Sequence, residues 1–177
     1  MSVEQEQPAQ SKNALAQAQQ SLRISSVNNW RGQCLDNFAR IEHAIIRCTE
    51  AILPHVKAHP FVLEEAARNR TRRLGEGLEG NWPKVQAATQ LSSLLDHWSI
   101  RELERNDLVH GRFSIRASPD ADWLLVNELL SVRKGVTITS RSTLDSHQAK
   151  AFLSAIRGER KRLEIAIDSF CQTVTKT

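Results

Sequence analysis

The stretch Trp30–Ile52, WRGQCLDNFARIEHAIIRCTEAI, decides the architecture. Trp30, Cys34, Asn37/Phe38, Ile41, Ile45, Cys48 and Ile52 recur every three or four residues, which lays one apolar stripe along a helix. The pattern predicts a long first helix from Ser25 or Ser26, ended by Pro54 and Pro60, because proline lacks the amide a helix needs. Upstream, residues 1–23 lack apolar periodicity and read as a disordered or loosely helical tail.

Working outward, residues 61–79 predict a second helix with Leu63, Ala66, Ala67, Leu74 and Leu78 toward the core. Gly80 and Asn81 break it, and Pro83 suits the first turn of a third helix. There Val85, Ala88, Leu91, Leu94, Leu95 and Trp98 line one side, and Gly111 stops it. Residues 112–139 change period: Phe113 and Ile115, then Val136 and Ile138, alternate with polar neighbours, as strands do. Between them WLLVNELLSV fits either a strand or a short helix. Asp145, with Gln148 three residues on, marks the capped start of a last helix striped by Phe152, Ile156, Leu163, Ile167 and Phe170. The expected fold is mainly α: an antiparallel helical bundle, one domain over residues 24–177, with a small antiparallel β insert before the last helix.

With 177 residues, 40% hydrophobic and 25% charged, the chain can bury one core. No apolar run approaches the roughly 18 residues of a membrane span, and the polar, Gln-rich N-terminus has no signal-like core, so a cytoplasmic protein is expected. Cys34, Cys48 and Cys171 form no CxxC pair; Cys34 and Cys48 fall on the first helix's stripe and read as core. The net charge is +4, and 17 arginines against 7 lysines hint at an anionic partner, since the guanidinium fork suits phosphate.

Several chemical motifs drop out. Gly75–Gly80 matches GxGxxG, but a dinucleotide loop must follow a strand and open a helix, whereas these glycines close one. His55 and His59 have zinc-ligand spacing, yet Pro54 and Pro60 bracket them, so neither a metal nor another cofactor is expected. What remains is Arg105–Gly111, RNDLVHG. An arginine followed by a histidine four to six residues on arises by chance about 1.7 times in such a composition. It occurs twice here, at Arg105/His110 and at Arg141/His147. Context separates them. Arg141 falls in a Ser/Thr-rich stretch expected to be loop, whereas Arg105 continues the stripe Leu91–Leu95–Trp98–Glu102 on a helix, where a charge needs a partner or a purpose. Asn106 and His110 share a helix face. Arg105 and His110 stand about 140° apart around the axis, so they meet on one ligand only at a helix end or across a dimer groove.

RNDLVHG at the end of a third helix resembles the HEPN superfamily (higher eukaryote and prokaryote nucleotide-binding), whose hallmark is Arg-x4–6-His, often with Asn after the Arg. WRGQCLDNFARIEHAI resembles its aromatic opening helix and RTRRLGEGLEG its second, so the likeness covers about residues 24–111 and the last helix; the β insert lies outside the minimal pattern. The resemblance implies a homodimeric, metal-independent endoribonuclease, of the kind found among toxins and phage-defence effectors, with RNA as substrate and an antitoxin or nucleotidyltransferase as partner. Carried onto this chain, His110 is the general acid or base, Arg105 holds the scissile phosphate, and Asn106 orients His110. Glu42 is a supporting acidic residue, and Arg70, Arg72 and Arg73 contact the RNA backbone. Plainer readings stand beside these. Glu42 also fits a structural ion pair with Arg105, and Arg70–Arg73 a solvated face balanced by Glu64, Glu65, Glu76 and Glu79. Arg105 and His110 also fit cations at a helix C-terminus. The competing function is a non-catalytic HEPN-like module that binds nucleotides or a partner protein.

Overall fold

The computed structural model describes residues 7–56, 66–133 and 135–175. Leu63, Glu64, Glu65, His59 and Pro60 lie outside them. Among the described residues the chain is mainly helical: α1 (Gln7–Ile52), α2 (Ala67–Asn81), α3 (Gln86–His110) and α4 (Ser146–Val174). A three-stranded antiparallel sheet, β1 (Arg112–Arg116), β2 (Leu124–Arg133) and β3 (Val136–Asp145), is inserted before α4 in the order β1-β2-β3. The chain divides into two compact units, one built from residues up to Gly32 with His110–Ala151, the other from Gln33–Val109 with Phe152–Thr177.

In the sheet unit, α1 is already helical from Gln7, well before the Ser25 or Ser26 start that apolar spacing predicts. From Gln20 on, polar side chains account for the difference. Gln20 Nε2 donates to the Ile115 carbonyl (3.2 Å) and Arg23 Nε to that of Asp122 (3.3 Å). Trp123 Nε1 donates to Ser26 Oγ (3.1 Å), Trp30 Nε1 to the Ala149 carbonyl (2.8 Å), and Arg31 lies over the Phe113 ring. A helix held by long polar arms carries no apolar period to detect.

WLLVNELLSV resolves as strand: β2 is central, with Phe113 opposite Asn127 on one side and Leu125 opposite Leu144 on the other. Trp123, Leu125 and Val126 are buried. The insert runs on to Asp145 rather than to residue 139, so Arg141 sits in β3 opposite Glu128 and not in a loop. Gly135 takes φ 77° at the β2–β3 turn, a left-handed conformation that favours glycine. The Asp145 cap forms as a reciprocal box: the His147 and Gln148 amides donate to Asp145 Oδ1 (2.8 Å each), and the Asp145 amide donates to Gln148 Oε1 (3.0 Å).

The helical unit buries most of the predicted stripes: Cys34, Phe38, Ile41, Ile45, Cys48 and Ile52 of α1, Leu74 and Leu78 of α2, Leu91, Leu95 and Trp98 of α3, and Ile156, Leu163, Ile167 and Phe170 of α4. Ala67, Val85, Leu94 and Phe152 are half-buried, and Ala66, expected toward the core, is exposed just before α2 begins. Phe38 meets Trp98, and Trp82 meets Phe170 edge-on, each with centroids 5.3 Å apart. Thr71 bonds Glu102 and Ser92 bonds Glu79, so α2 and α3 run antiparallel. Contacts Gln33–Arg157 and Cys48–Cys171 align α1 with α4 in the same direction. Pro83 lies in the turn before α3 rather than in its first turn; the Val85 carbonyl accepts from the Ala88 and Thr89 amides instead. Gly75 and Gly77 are buried inside α2, so the GxGxxG letters cradle nothing there.

Candidate functional site

The last two turns of α3 carry Arg105, Asn106 and His110. The helix stops at His110, and β1 begins two residues later. Arg105 is half-buried, its side chain 34% exposed, and its Nη2 lies 3.7 Å from Glu42 Oε2. That separation is an ion pair but too long for a hydrogen bond. The other Glu42 oxygen takes a close hydrogen bond from Arg70 Nη2. Glu42 thus steers Arg105 without occupying its donor fork. Asn106 and His110 are exposed, and neither side chain has a hydrogen-bond partner among the described residues.

Below this lies a carboxylate that sequence alone does not single out. Glu102, one turn before Arg105, is only 6% exposed and accepts from Thr71 Oγ1 at 2.6 Å. Its second oxygen, Oε2, is buried without a hydrogen-bond partner among the described residues. Burial lifts the Glu102 carboxyl above the usual carboxylate range, and the Glu42 charge adds to this; the Thr71 hydrogen bond and the charges of Arg105 and Arg68 pull the other way. The signal was visible in outline, since Glu102 interrupts the α3 stripe. Its partner Thr71, 31 residues away, was not legible.

The arginines proposed for backbone contact separate. Arg70 is committed to Glu42, and Arg72 pairs with Glu76 one turn on along the surface of α2. Arg73 is half-buried on the same helix. Arg101 is drawn elsewhere: it bonds Glu159 of α4 through two nitrogens (2.9 and 2.7 Å) and also Glu104. These bonds hold the Glu159 carboxyl below the usual carboxylate range and push the Arg101 guanidinium higher. A cleft of about 440 Å³ between α3 and α4 is lined by Leu94, Trp98, Arg101, Glu159 and Leu163, and no motif residue enters it.

Among the described residues no three His, Cys, Asp or Glu side chains cluster as metal ligands, and no helix is long and apolar enough to cross a membrane. Neither protein-family models, nor curated proteins, nor solved structures offer a match to this chain.

Proposed function

We propose that this chain is a metal-independent endoribonuclease of HEPN type, acting as a homodimer, in the manner of a toxin or phage-defence effector. The observation that carries the reading is the state of Arg105. Its guanidinium is steered by Glu42 at 3.7 Å yet keeps its hydrogen-bond donors for an incoming phosphate. His110 is exposed at the helix end, where an imidazole can take a proton from a ribose 2′-hydroxyl or give one to the leaving 5′-oxygen. Attack of the 2′-oxygen on phosphorus then expels the 5′-oxygen and leaves a 2′,3′-cyclic phosphate. Asn106 lies one turn before His110 in α3 with its amide free for substrate among the described residues, the position from which the HEPN resemblance has it act. Because about 140° and about 7.5 Å of helix separate Arg105 from His110, the two act on one phosphate by pairing across a dimer groove, each copy supplying one.

Arg105→Lys tests this directly. Lysine keeps the charge and the pairing with Glu42 but loses the planar fork, so cleavage should fall at least about tenfold while the fold persists. Full activity in Arg105→Lys would exclude a bidentate phosphate clamp. A second reading has its own support: Glu42 binds both Arg70 and Arg105, as a structural ion-pair hub would in a non-catalytic module that binds nucleotides or a partner protein. That reading predicts that Glu42→Gln loosens the fold with no cleavage to lose.

A further inference from the structure

The helical unit brings together two thiols far apart in sequence. Cys48, near the end of α1, and Cys171, near the end of α4, place their sulfurs 3.5 Å apart, although 123 positions separate them in the chain. Both are free thiols, Cys48 buried and Cys171 partly open to solvent. We propose that Cys171 is a site of oxidation by hydroperoxides and that Cys48 is its resolving thiol, so that oxidation ties the end of α1 to the end of α4 through a disulfide. This inference is independent of the ribonuclease reading.

Three features support the assignment of roles. Access comes first: a peroxide can reach Cys171 but not Cys48, which is 1% exposed. Ionisation follows, because a thiolate is the nucleophile. Ionising the deeply buried Cys48 costs more desolvation, so Cys171, the donor to Cys48 while both are protonated, loses its proton first and then accepts a hydrogen bond from the Cys48 thiol. That hydrogen bond draws the Cys171 thiol below its ordinary value, against the opposing effects of burial and of Asp168 one turn earlier. Proximity is last: the sulfurs need only close from 3.5 Å to about 2.05 Å to bond. An accessible, ionisable thiol beside a second cysteine is the arrangement redox-sensing cysteines use. Cys34 offers the contrast, being fully buried, with its thiol pushed up to about 12 by desolvation.

The chemistry balances. The Cys171 thiolate attacks one peroxide oxygen, the O–O bond breaks, and the departing hydroxide takes a proton to leave as water, giving Cys171 sulfenic acid. The Cys48 sulfur then attacks the sulfenic sulfur; the S–S bond forms, the S–OH bond breaks, and the Cys48 proton leaves with that hydroxyl as a second water. Two thiols lose two electrons to one peroxide.

The test treats the full chain with hydrogen peroxide and maps its peptides by mass spectrometry without reduction. Wild type and Cys34→Ser should both yield an intramolecular Cys48–Cys171 peptide. Cys48→Ser should stop at Cys171 sulfenic acid, captured by a dimedone-type reagent and followed by higher oxides. Cys171→Ser should react at least about tenfold more slowly at Cys48. Wild type that oxidises without forming the Cys48–Cys171 peptide overturns the proposal, as does Cys171→Ser oxidising at the wild-type rate. The wild-type map decides the linkage by itself, even where a serine variant folds poorly.

Discussion

The Thr71–Glu102 contact makes a quantitative claim about what supports the motif helix. Thr71 is 1% exposed, and among the described residues its hydroxyl, at 2.6 Å, is the one hydrogen-bond partner of Glu102 Oε1, while Glu102 Oε2 has none. Thr71→Val keeps shape and β-branching but removes the hydroxyl, leaving a buried carboxyl with neither oxygen partnered. Losing a hydrogen bond to a charged group costs about 1.5–3 kcal/mol, and Thr and Val have similar helix propensities. The expected loss is therefore about 2 kcal/mol, which in a chain of this size lowers Tm by about 4–8 °C. Urea unfolding should show a lower midpoint at unchanged slope. In a Glu102→Leu background the same Thr71→Val change should cost less than about 1 kcal/mol, because no carboxylate is left to strand and only the hydroxyl's bond to the Ala67 carbonyl (3.1 Å) is lost. Equal costs in both backgrounds would refute the interaction.

Three further outcomes follow from the same physics. Because burial raises the Glu102 pKa, its contribution to stability is fully present below the unfolded value, near pH 4.3, and is lost as pH rises through the folded value. Glu102→Gln should therefore flatten the stability–pH profile above about pH 4.3, which urea titrations at several pH values would show. Glu159 behaves oppositely: Arg101 depresses its pKa, so the pair contributes above about pH 4.3 and fades as pH falls through the folded value. Arg101→Met should thus be destabilising at neutral pH and close to wild type in strong acid. Asp145→Ala, which removes the acceptor for two α4 amides, should cost about 1 kcal/mol in thermal melts.

The helical architecture was legible because its cause is periodic. The stripes of α1, α3 and α4 bury most of the residues that spacing selects, and the α4 cap was written in Asp145 and Gln148. What sequence hides is pairing at long range. The early part of α1 is anchored by Gln20, Arg23 and Ser26 to partners more than 90 residues away, and β2 is strand because it has neighbours on both sides. Around the motif, Glu42 could be named with its two uses open, and the structure places it between Arg70 and Arg105. Thr71 beneath Glu102 and Cys171 beside Cys48 carry no local pattern that announces a partner.

The most direct measurement is cleavage of RNA in the presence of EDTA by wild type and by His110→Ala, with products examined for 2′,3′-cyclic phosphate ends. His110 is exposed and without a hydrogen-bond partner among the described residues, so its replacement should leave stability within about 0.5 kcal/mol and isolate the chemistry. Wild type should cleave and leave cyclic-phosphate ends, and a folded His110→Ala should not. Cleavage that survives in His110→Ala, or a wild type that cleaves no RNA across varied substrates, would contradict it.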